Sequence, residues 1–429
     1  MKYKIHLPFI VSLLCLHSQA LFAQSDVYLK AYAKTFQRLA IDLYPMSTET
    51  SDNASRTISE MITEVLSNDL WMSGYFKVNV KTGVPEPNTS NSTDGNSSAI
   101  AIITGKFSMA DGRLFIKPEV IDQASRKAII RSDYEAGSGK ERYLVHKIAD
   151  DIVYRLTGER GIARTKVAFV KQKADGTKEV ALMDYDGYHA QQITTDNSIN
   201  LSPAWSPDGQ KLCYTSYKND NPDLYLLNLR TNTPTPISKV TGLNSAPAWS
   251  PDGRYVALTL SKDGNAEIYL LDVNGKKLRR LTYSRGIDSS PTWSPSNRQI
   301  AFTSDRTGSP QIYIMDADGL NVRRLTFEGS YNDSPAWSPR GDKIAYVSRT
   351  ESGFDIYTID VTGQNQMRLT DSSRNNENPT WSPNGFALVF SSDRSGSRQL
   401  YSMFWDGSDQ KKLTTGGINY SPAWSPRLN

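Results

Sequence analysis

The sequence PAWSP at residues 203–207 decides the fold, because close copies of it return at a nearly fixed spacing. The copies lie at 247–251, 291–295, 335–339, 379–383 and 422–426. Their tryptophans are Trp205, Trp249, Trp293, Trp337, Trp381 and Trp424, so the spacing is 44 residues four times and then 43. A period in the forties is typical of a repeat architecture. The chain is therefore interpreted first as a series of equivalent units.

Each unit contains the signals of four short strands. A turn such as Pro-Asp-Gly at 207–209 follows the tryptophan, and proline and glycine favour turns because of the backbone angles they adopt. Two β-rich runs come next, for example KLCYTS at 211–216 and DLYLLNL at 223–229. A third run ends in Leu-Thr in most units, and the tryptophan run is the fourth. Four short strands separated by frequent turns predict one propeller blade.

The phase of the repeat predicts how the ring closes. Three strand-like runs, at 165–171, 179–185 and 191–194, precede the first tryptophan without a fourth run of their own. We expect the strand around Trp424 to pair with the run at 165–171 and complete that blade. This pairing leaves no open sheet edge. The prediction is a six-bladed β-propeller over residues 161–429.

Two kinds of side chain in the repeats are expected to be structural. The six indoles should pack between neighbouring blades, because each is a large apolar group at one repeat position. A six-fold aromatic ligand cage is the alternative. Cys213 lies in a strand-like run and is expected to be buried and unreactive.

Residues 24–160 lack the repeat and predict a small α/β domain. A helix is expected over 54–70, and its apolar face comprises Ile58, Met61, Ile62, Val65, Leu66 and Leu70. A second helix is expected to begin with a capping box formed by Ser138 and Glu141 and to stop at Gly158. Strand-like runs lie between the helices, and residues 85–98 predict a polar loop. The domain is thus multi-stranded, and it precedes an all-β propeller.

The first 23 residues predict a Sec-type secretory signal. Lys2 and Lys4 precede an apolar run at 7–16, and small residues then favour cleavage after Ala23, with Ala20 as the alternative. No other segment approaches 18 apolar residues, so no membrane insertion is expected for the mature chain. Cleavage lowers the formal net charge from +4 to +2, which gives no electrostatic case for nucleic acid or anionic lipid.

The sequence contains few of the residues and motifs that catalytic sites require. Of the 4 histidines, only His146 and His189 follow the signal, so neither a histidine-rich metal site nor a Ser-His-Asp triad is favoured. The motifs of serine hydrolases and P-loop proteins are absent from the sequence. We weighed a lyase or lactonase with a channel metal, which would need histidines or a carboxylate cluster inside the ring. The prediction is a non-enzymatic protein without metal or cofactor.

One polar position returns in every unit, three residues before the repeat proline. It is occupied by Asn200, Asn244, Asp288, Asn332, Asn376 and Asn419. These side chains could make Asx turns where each tryptophan strand begins, which is a purely structural role. They could equally form a polar rim around the channel mouth that binds a docked peptide or protein. The loops before them differ between units, as expected of a binding face.

The chain resembles the TolB family, the periplasmic propeller proteins of the bacterial Tol–Pal envelope system. The resemblance covers essentially the whole chain after the signal. It rests on the repeated W-S-P-D-G motif, on ISEMITEVLSNDLWMSGYFKV (58–78) and on KIADDIVYRLTGERGIARTKVAFV (147–170). The blade motif is shared with peptidase propellers, whereas the N-terminal phrases are more specific to this family.

The resemblance implies a scaffold in the periplasm that maintains outer-membrane integrity and supports constriction during cell division. It implies binding of the lipoprotein Pal at the channel mouth, where the matching residues are Leu243, Asn244, Ala246, Ser289, Ser290, Asn332 and Asp333. It also implies a partner-binding segment at 24–37 that binds TolA, with Asp26, Val27, Tyr28, Leu29 and Lys30 as its central residues. Bacteriocins such as colicins are implied to use the Pal face, and a monomer is expected.

A different class of function, binding of peptidoglycan or another glycan, remains open. It requires exposed aromatic side chains near the channel mouth. Tyr331 and Tyr420 are the aromatic residues that the sequence places there.

Overall fold

The computed structural model describes residues 38–50, 52–83, 99–274, 277–371 and 374–428. The predicted signal, the predicted partner-binding segment at 24–37 and the predicted polar loop at 85–98 lie outside these ranges. Residues 39–429 form one compact unit, which contains both an α/β domain and a six-bladed β-propeller.

The α/β domain consists of one mixed sheet and two helices. Its elements are β1 (Leu39–Leu43), α1 (Asn53–Met72), β2 (Phe76–Val80), β3 (Ala101–Ala110), β4 (Arg113–Asp122), β5 (Ala128–Arg131), β6 (Tyr134–Gly137) and α2 (Glu141–Thr157). The sheet order is β2-β1-β3-β4-β5, and β6 also pairs with β4. Strand β1 is parallel to both of its neighbours, whereas the other pairs are antiparallel. Neither helix, within the part of the chain described, is long and apolar enough to cross a membrane.

Helix α1 forms as its apolar spacing predicts. Ile62, Val65, Leu66 and Leu70 are buried against the sheet. The carboxylate of Asp52 caps its start by accepting a hydrogen bond of 2.7 Å from the Ser55 amide. Such a cap satisfies an amide that has no partner inside the helix.

The predicted capping box of α2 is wrong. The helix begins at Glu141 after Lys140, and no side chain caps its first turn. Ser138 lies too early in the chain, because Gly139 makes a turn with φ of 80° before the helix starts. Glu141 instead accepts a hydrogen bond from the Gly139 amide at 3.0 Å. The helix ends as predicted at Gly158, whose φ of 74° is favourable for glycine.

The propeller follows as six four-stranded antiparallel blades. Blade 1 consists of β30 (Ile418–Trp424), β7 (Lys166–Gln172), β8 (Lys178–Asp184) and β9 (Gln191–Gln192). Blade 2 consists of β10 (Asn200–Trp205), β11 (Lys211–Ser216), β12 (Asp223–Asn228) and β13 (Thr233–Ser238). Blade 3 consists of β14 (Asn244–Trp249), β15 (Tyr255–Leu260), β16 (Glu267–Asp272) and β17 (Leu278–Arg280).

The remaining three blades repeat this order. Blade 4 consists of β18 (Asp288–Trp293), β19 (Gln299–Ser304), β20 (Gln311–Asp316) and β21 (Arg323–Arg324). Blade 5 consists of β22 (Asn332–Trp337), β23 (Lys343–Thr350), β24 (Gly353–Asp360) and β25 (Met367–Arg368). Blade 6 consists of β26 (Asn376–Trp381), β27 (Ala387–Ser392), β28 (Gln399–Phe404) and β29 (Lys411–Lys412). The first strand named in each blade contacts its counterparts in the adjacent blades, so these six strands surround the central channel.

The repeat proline interrupts every inner strand. In blade 2, Leu201 pairs with Thr215 and Ala204 with Cys213, so Ser202 and Pro203 together oppose one residue. Proline has no amide hydrogen to donate to the neighbouring strand, and the extra residue makes a β-bulge. The residue before the proline has a positive φ in all six blades: Ser202, Ala246, Ser290, Ser334, Asn378 and Ser421. A non-glycine residue in this conformation costs on the order of 1 kcal/mol.

The tryptophans pack between blades, as predicted. Trp205 lies in a cluster with Ala168 and Val180 of blade 1 and with Leu212 and Tyr214 of its own blade. Five of the six indoles are buried, and Trp249 is partly exposed. Cys213 is a buried free thiol whose pKa is raised by burial, which disfavours the reactive thiolate.

The α/β domain packs on one face of the propeller, where the turns after the tryptophan strands lie. The side-chain amide of Asn384 donates to the Ser73 carbonyl at 2.9 Å, and the rings of Tyr75 and Phe386 meet edge to face at 5.1 Å. Trp71 packs edge to face on Phe404 at 5.6 Å. The loops that lead from one blade to the next lie at the other ends of the inner strands.

Candidate docking face at the channel mouth

The candidate site is formed by the loops that connect the outer strand of one blade to the inner strand of the next. We call them the inter-blade loops, and the face that they form is the inter-blade face. Their described residues are 195–199, 239–243, 283–287, 327–331, 371, 374–375 and 415–417. The six predicted Asn and Asp residues lie where these loops end, at the first or second residue of an inner strand. All six are buried, with at most 3% of any one exposed.

At four of the six positions these buried residues join one blade to the next through a repeated hydrogen-bonded latch. Between blades 4 and 5, Gln311 Oε1 accepts from the Thr326 hydroxyl and from Asn332 Nδ2, both at 2.8 Å. The Thr326 hydroxyl accepts from the Ile312 amide at 2.9 Å, and Asn332 also donates to the Glu328 carbonyl. Equivalent latches use Glu179, Thr194 and Asn200, then Asp355, Thr370 and Asn376, then Gln399, Thr414 and Asn419.

Two positions of the ring use other partners. Asp288 has no amide to donate, and it accepts from Arg306 Nη2 at 2.8 Å instead. Burial raises the pKa of Asp288, while Ser304 and Arg306 oppose this shift. Asn244 accepts from the Ser238 hydroxyl at 2.6 Å and donates to two loop carbonyls. Five of the six side chains therefore hold the preceding inter-blade loop from inside, whereas Asp288 pairs within its own blade, and none of the six forms an exposed polar rim.

The latch predicts a measurable loss of stability when one hydroxyl is removed. Thr326→Val leaves the buried Ile312 amide without its partner, so we expect the free energy of unfolding to fall by about 1–3 kcal/mol. Thr231→Val is the matched control at an exposed turn, and it should change stability by less than about 0.5 kcal/mol. Urea unfolding followed by fluorescence measures both. Equal stability of the two variants would contradict the latch.

The residues implied by the resemblance lie together on three consecutive blades. Leu243 and Ala246 of blade 3, Ser289 and Ser290 of blade 4, and Asp333 of blade 5 are all partly exposed around the channel mouth. The other two residues implied by the resemblance, Asn244 and Asn332, are buried. The structure thus brings the predicted set together, with the partly exposed members distinct from the buried ones.

The most exposed apolar side chains of this face are not among the residues predicted from the sequence. Tyr283 is 77% exposed and Phe327 is 73% exposed, and Ile287 of the same loop as Tyr283 is 52% exposed. Arg280 lies over the Tyr283 ring at 4.6 Å, and Arg324 lies over the Phe327 ring at 5.0 Å. A signal was available, because each aromatic residue directly follows a Leu-Thr pair at the same repeat position. Apolar patches, rather than single exposed apolar side chains, mark interaction surfaces, and Tyr283 and Ile287 belong to one loop.

Tyr331 and Tyr420, the aromatic residues that the sequence places near the channel mouth, are less exposed than Tyr283 and Phe327. Tyr331 is partly buried, contacts Phe354 edge to face at 5.6 Å and donates to Asp333 at 3.2 Å. Tyr420 is also partly buried. A glycan-binding surface would therefore depend on Tyr283 and Phe327.

The channel mouth carries carboxylates whose ionisation depends on burial and on their charged neighbours. Burial raises the pKa of Glu377. Arg398 lowers this pKa, whereas the carboxylates of Asp393 and Asp333 raise it further. Asp333 accepts from the Thr303 hydroxyl at 2.7 Å. Among the residues described, the one group of side chains with metal-ligand chemistry is Asp69, His146 and Asp186, which lies in the domain interface. Tyr185 and Arg142 already donate to the two carboxylates of that group.

Comparison with known proteins agrees with this architecture. Residues 153–428 match the family described as TolB beta propeller domain. A Tol-Pal system protein TolB from Desulfosudis oleivorans is 38% identical over 138 residues, which is 32% of this chain and 31% of that protein. Another from Dinoroseobacter shibae is 36% identical over 204 residues, which is 45% of each protein. The alignments with these curated relatives thus span about a third to a half of their length.

A solved structure extends the similarity over nearly the whole fold. TolB from Acinetobacter baumannii superposes with a TM-score of 0.78 at 30% sequence identity, and the match covers 91% of this chain and 97% of that one. The propeller match alone includes well over half of the present chain. The six blades, the preceding α/β domain and these similarities together establish that the chain belongs to the TolB beta-propeller family.

Proposed function

We propose that this protein is a non-enzymatic periplasmic scaffold of a Tol–Pal system, and that it docks Pal on the inter-blade face. One observation carries the proposal: Tyr283 and Phe327 expose large apolar surfaces beside the partly exposed residues of three consecutive blades. The described part of the α/β domain packs at the opposite ends of the inner strands, so it does not cover the inter-blade face. The relatives named Tol-Pal system protein TolB support the assignment to that system.

The geometry also favours docking without rearrangement. The ring residues hold five of the six inter-blade loops from inside the propeller, so these loops are arranged before a partner arrives. Binding to such a surface loses little conformational entropy. An ordinary specific interface of about 1,600 Å² in total would cover the channel mouth and the neighbouring loops.

The wider role follows from membership in the system. We propose that the scaffold maintains outer-membrane integrity and supports constriction at cell division. Its second partner is TolA, bound by the segment around residues 26–30, which lies outside the described residues. Bacteriocins of the colicin type are proposed to exploit the Pal face.

The test is calorimetric titration of residues 24–429 with the soluble domain of Pal from the same organism. The variant replaces Ser245 and Ser289, both partly exposed, with arginine. Asn244 is left unchanged because its buried side chain holds the preceding loop. We expect binding to weaken at least about 30-fold, as for loss of an interface hot spot. The added bulk and charge should not alter the melting temperature.

Ser296→Arg is the matched control, since Ser296 is exposed on the turn after the blade 4 tryptophan, at the other end of the inner strand. It should bind Pal like the wild type. Wild-type affinity of the double variant would place the docking site elsewhere. Absence of binding by the wild type would contradict the Pal proposal. Binding of soluble peptidoglycan fragments that is lost in Tyr283→Ala and Phe327→Ala would then favour the glycan alternative.

A further inference from the structure

A buried polar network lies where α1 and α2 meet the first blade. His146 Nδ1 of α2 is 2.7 Å from Asp69 Oδ2 of α1. The Tyr185 hydroxyl of blade 1 donates to the other oxygen of Asp69 at 2.6 Å. On its far side, His146 Nε2 is 3.9 Å from Asp186 Oδ2, and Arg142 donates to the same oxygen at 2.5 Å. The imidazole thus lies between a carboxylate of the α/β domain and a carboxylate of the propeller.

The geometry around the imidazole favours its protonated form. His146 is 2% exposed, and its Nε2 atom has no hydrogen-bond partner among the described residues. If Nδ1 carries the only proton and donates to Asp69, the lone pair of Nε2 faces the Asp186 carboxylate. A proton on Nε2 replaces this repulsion with attraction between opposite charges. An unpaired buried charge is costly, and no other cation lies within ion-pair distance of Asp69 in the described chain.

The other charged groups around His146, on each element packed against it, have partners of their own. Arg142 of α2 is balanced by Asp186, and its guanidinium lies 3.5 Å from the centre of the Tyr188 ring. Asp184 of blade 1 pairs with Lys166 and with His189. Asp150 of α2 pairs with Arg164. These neighbours are already paired, whereas Asp69 depends on His146 for its counter-charge.

A bound metal ion fits this cluster poorly. Its carboxylates already accept from Arg142 and Tyr185, and a cation beside the Arg142 guanidinium would meet like-charge repulsion. A proton at Nε2 requires no displacement of these donors.

We propose that His146 is an imidazolium that joins the α/β domain to the propeller by bridging Asp69 and Asp186. The pair formed by His146 and Asp69 then keeps its proton to a higher pH in the folded protein than in the unfolded chain. Burial alone lowers the pKa of His146, but the carboxylates of Asp69 and Asp186 outweigh it and raise that pKa. Burial raises the pKa of Asp69 as well, so both shifts have the same sign.

The pH dependence of stability follows from the upward direction of both pKa shifts. A raised folded-state pKa stabilises the folded form fully below the unfolded value of about 6.5 for histidine. The stabilisation is lost as pH rises through the folded-state pKa. The joint between the domains should therefore loosen on the alkaline side, and Asp186→Asn should loosen it at lower pH.

The test uses nitrogen-15 histidine labelling of residues 24–429, which contain His146 and His189 and no other histidine. Two-bond proton–nitrogen spectra recorded from pH 5 to 9 report the protonation of each ring, and His146→Gln assigns the signals. We expect the His146 ring to carry protons on both nitrogens above pH 6.5. Hydrogen–deuterium exchange, corrected for intrinsic pH effects, should rise in residues 141–157 and 184–189 as that ring deprotonates.

Asp318→Asn is the matched control for Asp186→Asn. Asp318 occupies the same turn position in blade 4, where it likewise accepts a hydrogen bond from the amide two residues later. Asp186→Asn should shift the His146 midpoint to lower pH and raise exchange at the joint, whereas Asp318→Asn should do neither. A His146 ring that is neutral at pH 6.5 overturns the proposal. So does an unchanged midpoint in Asp186→Asn, or exchange at the joint that is insensitive to the titration.

Discussion

Removal of residues 418–429 is expected to abolish cooperative folding of the propeller. These residues contain β30, the inner strand of blade 1, which pairs with β7 through Trp424 opposite Val167. Without it, β7 becomes an open edge and the adjacent blades lose their contacts with β30. Trp424 also stacks on Tyr185 at 6.2 Å and donates to the Thr165 hydroxyl at 2.8 Å. The loss therefore includes part of the interface with the α/β domain.

Differential scanning calorimetry and size-exclusion chromatography measure this effect. The truncated chain should show no single unfolding transition and should aggregate through the exposed edge. The matched control removes only residues 428–429, which leaves β30 and Arg427 intact, and it should retain a cooperative transition close to that of the full chain. A cooperative transition of the longer truncation at the wild-type temperature would show that the ring does not require β30.

Trp293→Ala is expected to lower the free energy of unfolding by about 3–5 kcal/mol, as for other large-to-small changes of buried aromatic residues. The indole packs between blades 3 and 4, against Ile268 and Leu270 on one side and Ile300 on the other. Its removal leaves a cavity that the strands on either side cannot fill. Chemical denaturation monitored by circular dichroism measures the change. A cost below about 1 kcal/mol would contradict a packing role for the repeated tryptophan.

A pair of phenylalanine variants separates packing from hydrogen bonding. Trp293 and Trp337 are both 8% exposed, but Trp293 Nε1 donates to the Ala248 carbonyl at 3.1 Å. Trp337 Nε1 has no hydrogen-bond partner among the described residues. Trp293→Phe should therefore cost about 1 kcal/mol more than Trp337→Phe. Equal losses of stability in the two variants would show that the Trp293 hydrogen bond contributes nothing beyond packing.

The sequence predicted where the inter-blade face lies but not how its side chains are arranged. Repeat spacing identified the six Asn and Asp residues as equivalent, yet the spacing alone did not reveal their partners. The partner of Asn332 is Gln311, which lies 21 residues earlier in another strand of the preceding blade. Asn332 and Gln311 are both polar, so the repeated sequence pattern resembled an exposed rim. The hydrogen bond between them allows both side chains to be buried. Tyr283 and Phe327 were not predicted as surface residues, because their exposure depends on the tertiary structure.

The sequence by itself determined the number of blades, the phase of their strands and the packing role of the tryptophans. These properties follow from the repeat, because equivalent residues at a period of 44 must occupy equivalent places in a ring. Only the tertiary structure decided which polar residues are buried in latches, which aromatic residues remain exposed and how His146 meets Asp186. Burial and ionic contacts depend on residues that are distant in the chain, such as Asp69 and His146, which are 77 positions apart. No local pattern contains that proximity, because only folding brings helices α1 and α2 together.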